Sequence, residues 1–196
     1  LVNPYQAVDF GTYDTSGHYI DYLAGSPLKE GIYLGGGAQG GYLRNVQFNP
    51  HYYGRSNYPN HPSTGADSDM VWSYQKDHLD AFRIGNVKQE TIFNTFVFGS
   101  KFGIHFEGQD GQGPEAVVIG HGTDGSKKGA VLEGADKAGL QFINTELVSI
   151  STTDKVYVEV GKDFGSKAVF FNSSMWGDTN RSFDIFGGTV RIQQAN

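Results

Sequence analysis

A short phrase, apolar–any–apolar–glycine, recurs seven times along this chain and leaves few folds open. It reads Val8-Asp9-Phe10-Gly11, Ile32-Tyr33-Leu34-Gly35 and Phe82-Arg83-Ile84-Gly85, then His105-Phe106-Glu107-Gly108 and Val131-Leu132-Glu133-Gly134, and finally Val158-Glu159-Val160-Gly161 and Asp184-Ile185-Phe186-Gly187. Some copies shift the apolar phase by one residue, but the closing glycine persists. The glycine-to-glycine steps are 24, 50, 23, 26, 27 and 26 residues. A fixed period in this range marks a solenoid. The doubled step predicts one turn carrying an insertion of roughly 25 residues.

A second marker keeps pace with the first. Asp21, Asn45, Asn94, Asn144 and Asn172 follow the glycines at 11, 35, 85, 134 and 161 by 10, 10, 9, 10 and 11 residues. In the turn after Gly108, Gly120 stands near the expected place. Each marker interrupts a β-rich run, as in Tyr42-Leu43-Arg44-Asn45-Val46-Gln47-Phe48. Asn accepts the left-handed backbone and bonds locally, which suits a sharp corner between strands. Stacked corners would join their amides into a ladder along the axis. Helical solenoids do not fit, because their repeats need amphipathic stretches of ten to fifteen residues with a period near 3.6. The apolar runs here are short, β-branched or aromatic, and broken by glycine, so helix content should be minimal.

Together the two markers resemble the right-handed parallel β-helix of the pectate-lyase-like superfamily, over nearly the whole chain. The expectation is an all-β solenoid of about seven turns of 23–27 residues, one domain over 1–196, with a long loop at 49–77. Solenoid ends need caps, since bare ends expose strand edges and core. No polar capping helix is visible at either end. The chain therefore reads as one part of a larger modular protein. A neighbouring catalytic domain or a second copy would cover the ends.

Composition narrows the partners. A net charge of −6 and the lack of a basic stripe argue against nucleic acid. The pair Lys127-Lys128 reads as a solvated turn. No cysteine is present, so neither disulfides nor Cys-based metal sites arise. No apolar run is long enough to span a bilayer, so no membrane partner is expected. The resemblance implies a secreted, extracellular setting.

The insertion is where function is expected. It holds Tyr52, Tyr53, Tyr58, Trp72 and Tyr74 beside His51, Arg55, His61, Asp67 and Asp69. Aromatic faces with polar neighbours suit a sugar, whose C–H face stacks while its hydroxyls bond to charged groups. The same rings could instead pin the loop to the solenoid. The reading favoured is a non-catalytic carbohydrate-binding module for an extended, neutral plant cell-wall polysaccharide such as xylan, because a chain at −6 suits a polyanion poorly. Tyr52, Tyr53, Tyr58, Trp72 and Tyr74 are the stacking candidates, with Arg55, Asp67 and Asp69 as polar partners. Trp176 is a further candidate on another turn.

Catalysis is the alternative: a hydrolase, lyase or epimerase acting on polysaccharide. Polygalacturonase-type β-helix hydrolases carry Asn-Thr-Asp, an Asp pair, Gly-His-Gly and Arg-Ile-Lys. This chain has Gly120-His121-Gly122, and Arg191-Ile192 followed by Gln193, but neither Asn-Thr-Asp nor Asp-Asp. His121 is therefore expected on an exposed turn. If the chain is an enzyme, Asp67, Asp69, Asp77, Asp80 and His121 are the catalytic candidates, since glycoside hydrolysis uses paired carboxylates. Lyase chemistry would need a base, with Arg55, Arg83 and Lys101 unplaced. No cofactor is expected, and Ca2+ is the ion such oxygen ligands would take. His51 and His61 lack zinc-site spacing. An adhesin segment would need tight trimerisation, for which no heptad or self-complementary stripe stands out.

Overall fold

A computed structural model describes residues 1–62, 65–108, 112–149 and 156–195, with the side chains of 65–68 left aside. It is a parallel β-solenoid of about seven turns, 52% strand and 8% helix. The front sheet stacks β1 (Gln6–Phe10), β3 (Glu30–Leu34), β6 (Asp80–Ile84), β9 (Phe102–Phe106), β12 (Lys128–Leu132), β15 (Val156–Val160) and β18 (Arg181–Ile185), each parallel to the next. The back sheet stacks β2 (Tyr19–Gly25), β5 (Tyr42–Phe48), β8 (Glu90–Phe98), β10 (Ala116–Ile119), β13 (Leu140–Ile143), β16 (Lys167–Phe171) and β19 (Thr189–Gln193). It turns a corner into β11 (Gly122–Ser126), β14 (Glu146–Ser149) and β17 (Ser174–Trp176). A short pair, β4 (Ala38–Gln39) and β7 (Val87–Lys88), lies between the two sheets along the chain.

The core follows from register. Val8, Ile32, Phe82, Ile104, Ala130, Val158 and Phe183 form one inward column, and Phe10, Leu34, Ile84, Phe106, Leu132, Val160 and Ile185 the next. The back sheet answers with Leu43, Ile92, Val118, Phe142 and Phe170, all buried. Large rings continue from coil to coil: Phe142 and Phe170 stack at 4.4 Å, and Phe106 meets Phe142 edge-on at 5.7 Å. Burying side chains of this size contributes about 1.5–3 kcal/mol each.

The corner residues adopt the left-handed conformation as expected: Asn45, Asn94, Asn144 and Asn172 have φ of 52°, 51°, 52° and 48°, and Gly120 has 66°. Two runs of the amide ladder form. Asn94 Nδ2 donates to Asn45 Oδ1 at 2.7 Å and Asn45 Nδ2 to Asp21 Oδ1 at 2.8 Å, while Asn172 Nδ2 donates to Asn144 Oδ1 at 2.7 Å. Gly120 has no amide and separates them. In the first coil the structure moves the corner by one residue: Tyr22, not Asp21, is left-handed, with φ 56°. Asp21 instead faces outward and ends the ladder.

The insertion differs from the expected loop. It contains α1 (His51–Gly54) and α2 (Gly65–His78), so a 14-residue helix lies where helix content should have been minimal. Along α2, Trp72 is partly covered and Gln75 buried, followed by buried Leu79, a spacing that turns one helical face to the solenoid. Gln75 Nε2 anchors it by donating to Pro27 O at 2.7 Å.

Candidate functional site

The phase shift in the repeat builds the candidate site. After the last inward residue of the front strands come Gly11, Gly35, Gly85 and Gly161 in four coils, but Glu107 and Glu133 in the fourth and fifth. The glycines leave the sheet surface bare. A Cβ on Gly11 would stand 1.9 Å from the Tyr33 ring, so that ring lies flat across the glycine positions. The two glutamates instead raise carboxyl groups beside it.

Around them the outward rows of β3, β6, β9 and β12 assemble a polar trough. Arg83 Nη1 donates to Glu30 Oε2 at 2.9 Å and Arg83 Nε to Glu107 Oε1 at 2.8 Å, while its guanidinium lies 4.2 Å over the Tyr33 ring. One coil on, His105 Nδ1 lies 2.6 Å from Asp80 Oδ2, and Nε2 lies 3.3 Å from Glu133 Oε2. Gln6 hydrogen-bonds Glu30 at the lower end. Two adjoining depressions, of about 460 and 480 Å³, share Arg83 and Glu107 and so make one open trough, with Tyr33 in the first and Tyr5 in the second.

Its electrostatics are set by burial. Asp80 Oδ1 is sealed from solvent without a hydrogen-bond partner. Burial pushes the Asp80 carboxyl above the usual carboxylate range, against the pull of His105. Burial opposes charge on His105, but the Asp80 hydrogen bond and nearby carboxylates outweigh it and raise its pKa. The same contest raises Arg83, where bonds to Glu107 and Glu30 overcome desolvation. Four carboxyl groups thus face the Arg83 guanidinium and the His105 imidazole, with Lys29 and His78 on the wall of the second depression, and Asp80 and His105 form a recessed proton-holding pair. Such groups can bind hydroxyls bidentately, and the pair can hold a proton within the trough.

Of the residues singled out in the sequence, Asp80 and Arg83 lie in this trough. Trp72 stacks on Phe98 at 5.6 Å with Lys76 4.2 Å above its ring, and His51 stacks on the same Phe98 at 5.5 Å. Tyr52 donates to Gln47 Oε1 at 2.7 Å and Tyr53 to Asn60 O at 2.9 Å, while Tyr74 stacks on His78 at 4.1 Å. These contacts hold the insertion against itself and the solenoid. Tyr58, Arg55 and Asp69 are exposed on it, and the side chain of Asp67 lies outside the described residues. Trp176 is exposed on β17 and donates to Glu146 Oε1 at 2.6 Å. Asp77 pairs with Lys127 at 2.5 Å and Lys128 with Glu159, so the two lysines are not a merely solvated turn.

His121 departs most from expectation. It is buried, not exposed: Nδ1 lies 2.8 Å from Thr95 Oγ1, its ring meets Phe82 edge-on at 5.4 Å, and burial lowers its pKa to about 3. A neutral core histidine results. Among the described residues no three His, Asp or Glu side chains converge to hold a metal ion. Sequence reasoning passed over Glu30, Arg83 as a clamp, His105, Glu107 and Glu133, although the shifted phase of two repeats marked the last two. Comparison of the chain with protein-family models, curated proteins and solved structures gave no match.

Proposed function

We propose that the chain binds an extended, uncharged polysaccharide along the front-sheet trough. The observation that carries this reading is an open trough in which Glu30, Glu107 and the more exposed Glu133 line up beside Arg83, with Tyr33 and Tyr5 along it. Carboxylates accept from vicinal hydroxyls, and aromatic rings cover sugar C–H faces. The coil spacing of about 4.8 Å repeats these groups along the axis, a pitch a linear polymer can follow. The chain's net charge of −6 disfavours uronate polymers. Kinship with pectate-lyase-like β-helices and an extracellular setting belong to the same proposal, resting on the repeat markers.

Affinity electrophoresis across neutral and acidic polysaccharides tests it. Retardation by a neutral glycan is expected, weakened about tenfold or more by Glu107→Gln with Glu133→Gln, the loss of roughly 1.4 kcal/mol or more. Tyr58→Ala and Trp176→Ala should leave it unchanged. Loss of binding in these two variants, with the trough variant intact, would move the site away from the front sheet. Absence of retardation by any glycan would end the reading.

One observation favours hydrolysis as a second reading: Asp80, held toward its protonated form, shares the trough with Glu107 and Glu133. A proton donor and a second carboxylate are the parts glycoside hydrolysis uses. Assaying the same samples for reducing ends decides it. Product that vanishes in Asp80→Asn would establish catalysis, and retardation without product would leave binding alone.

A further inference from the structure

One buried ion pair lies outside the trough and joins the first coil to the third. His18 Nε2 lies 3.2 Å from Glu90 Oε1, with the two side chains 3% and 0% exposed. The residues are 72 apart in the chain. The second coil stands between them and is notched to let them meet. A Cβ on Gly41 would sit 2.2 Å from the His18 ring and 2.3 Å from Glu90 Oε2, so glycine there keeps the path open. The other ring nitrogen fixes the chemistry. Nδ1 lies 3.1 Å from Thr15 O, a carbonyl that can only accept, so Nδ1 carries a hydrogen. In a neutral ring Nε2 is then a bare acceptor, and it faces a carboxylate oxygen with no solvent between them. The contact therefore requires a further proton between Nε2 and Oε1. Glu90 Oε2, sealed and without a hydrogen-bond partner, makes an unpaired carboxylate here costlier still.

We propose that this pair is a proton-dependent latch, which holds the connection from β1 to β2 closed while His18 is charged and releases it as the proton is lost. The surroundings of the ring support this. The Phe10 ring, 5.5 Å away, comes from β1, the Thr15 carbonyl from the connection itself and Gly41 from the turn before β5, none of them titratable. Glu90, from β8, is the charged group that acts on His18. Nearby, Lys88 on β7 is engaged by Asp136, Asp14 by Ser16, and Glu115 lines a depression beside Glu90. The Glu90 hydrogen bond raises His18 above its ordinary value against its burial. The latch is thus complete below about pH 6.5 and is lost as pH rises through the higher folded value. Its release loosens residues 11–18 in a coil that serves the trough: Gly11 underlies the Tyr33 ring, and Tyr5 and Gln6 line the second depression. Weaker glycan binding at alkaline pH is the consequence, and it rests on the reading above; the latch itself does not.

Hydrogen exchange tests this at the amides of Gly17, His18 and Tyr42, which close the connection by donating to Gln39 O, Thr15 O and His18 O. It is followed from about pH 6 to about pH 9 and corrected for the intrinsic rate, with no glycan present. Protection should fall by up to about tenfold per pH unit between 6.5 and the folded value, then level off. The amides of Gly161 and Phe186, far along the solenoid, should keep theirs. Glu90→Gln replaces the carboxylate with an amide that donates to bare Nε2, so in that variant protection should stay flat over the whole range. Wild-type protection that does not change with pH overturns the proposal. So does an equal fall at Gly161 and Phe186, which marks global unfolding, or a Glu90→Gln variant that falls as the wild type does.

Discussion

At the scale of single residues, burial has decided which titratable groups do chemistry and which hold the fold. His121 sits beneath Thr95 and Phe82 with its pKa lowered to about 3, so the native state refuses a proton that the unfolded chain accepts near pH 6.5. Stability is then lost as pH falls below 6.5, at up to about 1.4 kcal/mol per unit. His18, raised by its hydrogen bond to buried Glu90, and His105, raised chiefly by Asp80 against its own burial, act oppositely. Their contribution is complete below 6.5 and fades as pH rises through their folded values. Asp80, raised by burial, also favours the native state on the acid side. Urea unfolding at pH 6.5 and 4.5 isolates the first effect. The wild type should lose roughly 2 kcal/mol more than His121→Leu over that interval. Equal losses would mean that His121 is protonated in the folded protein.

At the scale of elements, the corner ladder shows what the repeat contributes beyond spacing. Each corner asparagine meets a left-handed backbone and passes an amide hydrogen bond along the axis. Asn144→Ala forfeits both, a cost of about 2 kcal/mol. Gly120 breaks the ladder between Asn94 and Asn144, and a Cβ there would meet nothing closer than 3.9 Å. Gly120→Asn should therefore stabilise by about 0.5–1 kcal/mol by restoring continuity, whereas Gly120→Ala, with no amide and the wrong backbone preference, should destabilise by about 1 kcal/mol. Chemical denaturation of the two variants separates them, and equal midpoints would deny the ladder any energetic role. The insertion obeys different rules. Its helix α2 is tethered through Trp72 on Phe98 and Gln75 on Pro27 O. Trp72→Ala should expose residues 49–78 to limited proteolysis while the solenoid's β signal persists. Proteolysis at the wild-type rate would show that other contacts hold the insertion.

At the scale of the whole molecule, each coil pairs its strands only with those of the adjacent coils, and only side-chain bridges such as His18–Glu90 and Lys88–Asp136 reach past one, so stability is close to a sum along one dimension. The seventh coil shows the consequence: Ile185 and Ile192 stand 49% and 48% exposed, while the equivalent columns in the middle coils are fully buried. Hydrogen exchange should be slowest in β8, β9 and β12 and fastest in β1, β18 and β19. Uniform protection would require a cooperative unit larger than a coil. The solenoid itself was legible in the spacing of Gly35, Gly85, Asn45 and Asn94, because glycine approach and left-handed corners are local demands that only a few residue types meet. The helix α2 was not legible, since Gly65-Ala66-Asp67-Ser68-Asp69 carries no amphipathic period and its order comes from packing on Phe98. His121 was misread for a related reason. Glycine on both sides suggested a turn, yet its backbone register places it in the inward column with Thr95, Thr145 and Ser173.

The sequence alone determined the repeat, the parallel stacking and the identity of the corner residues, because these depend on backbone preferences that each turn expresses by itself. Only the tertiary structure decided the trough, where Glu30, Asp80, Arg83, His105, Glu107 and Glu133 come from four coils spread over about a hundred residues. It alone decided the His18–Glu90 contact as well, which joins residues 72 apart across an intervening glycine. Such a pair leaves no periodic mark in the sequence and exists only once the register is set.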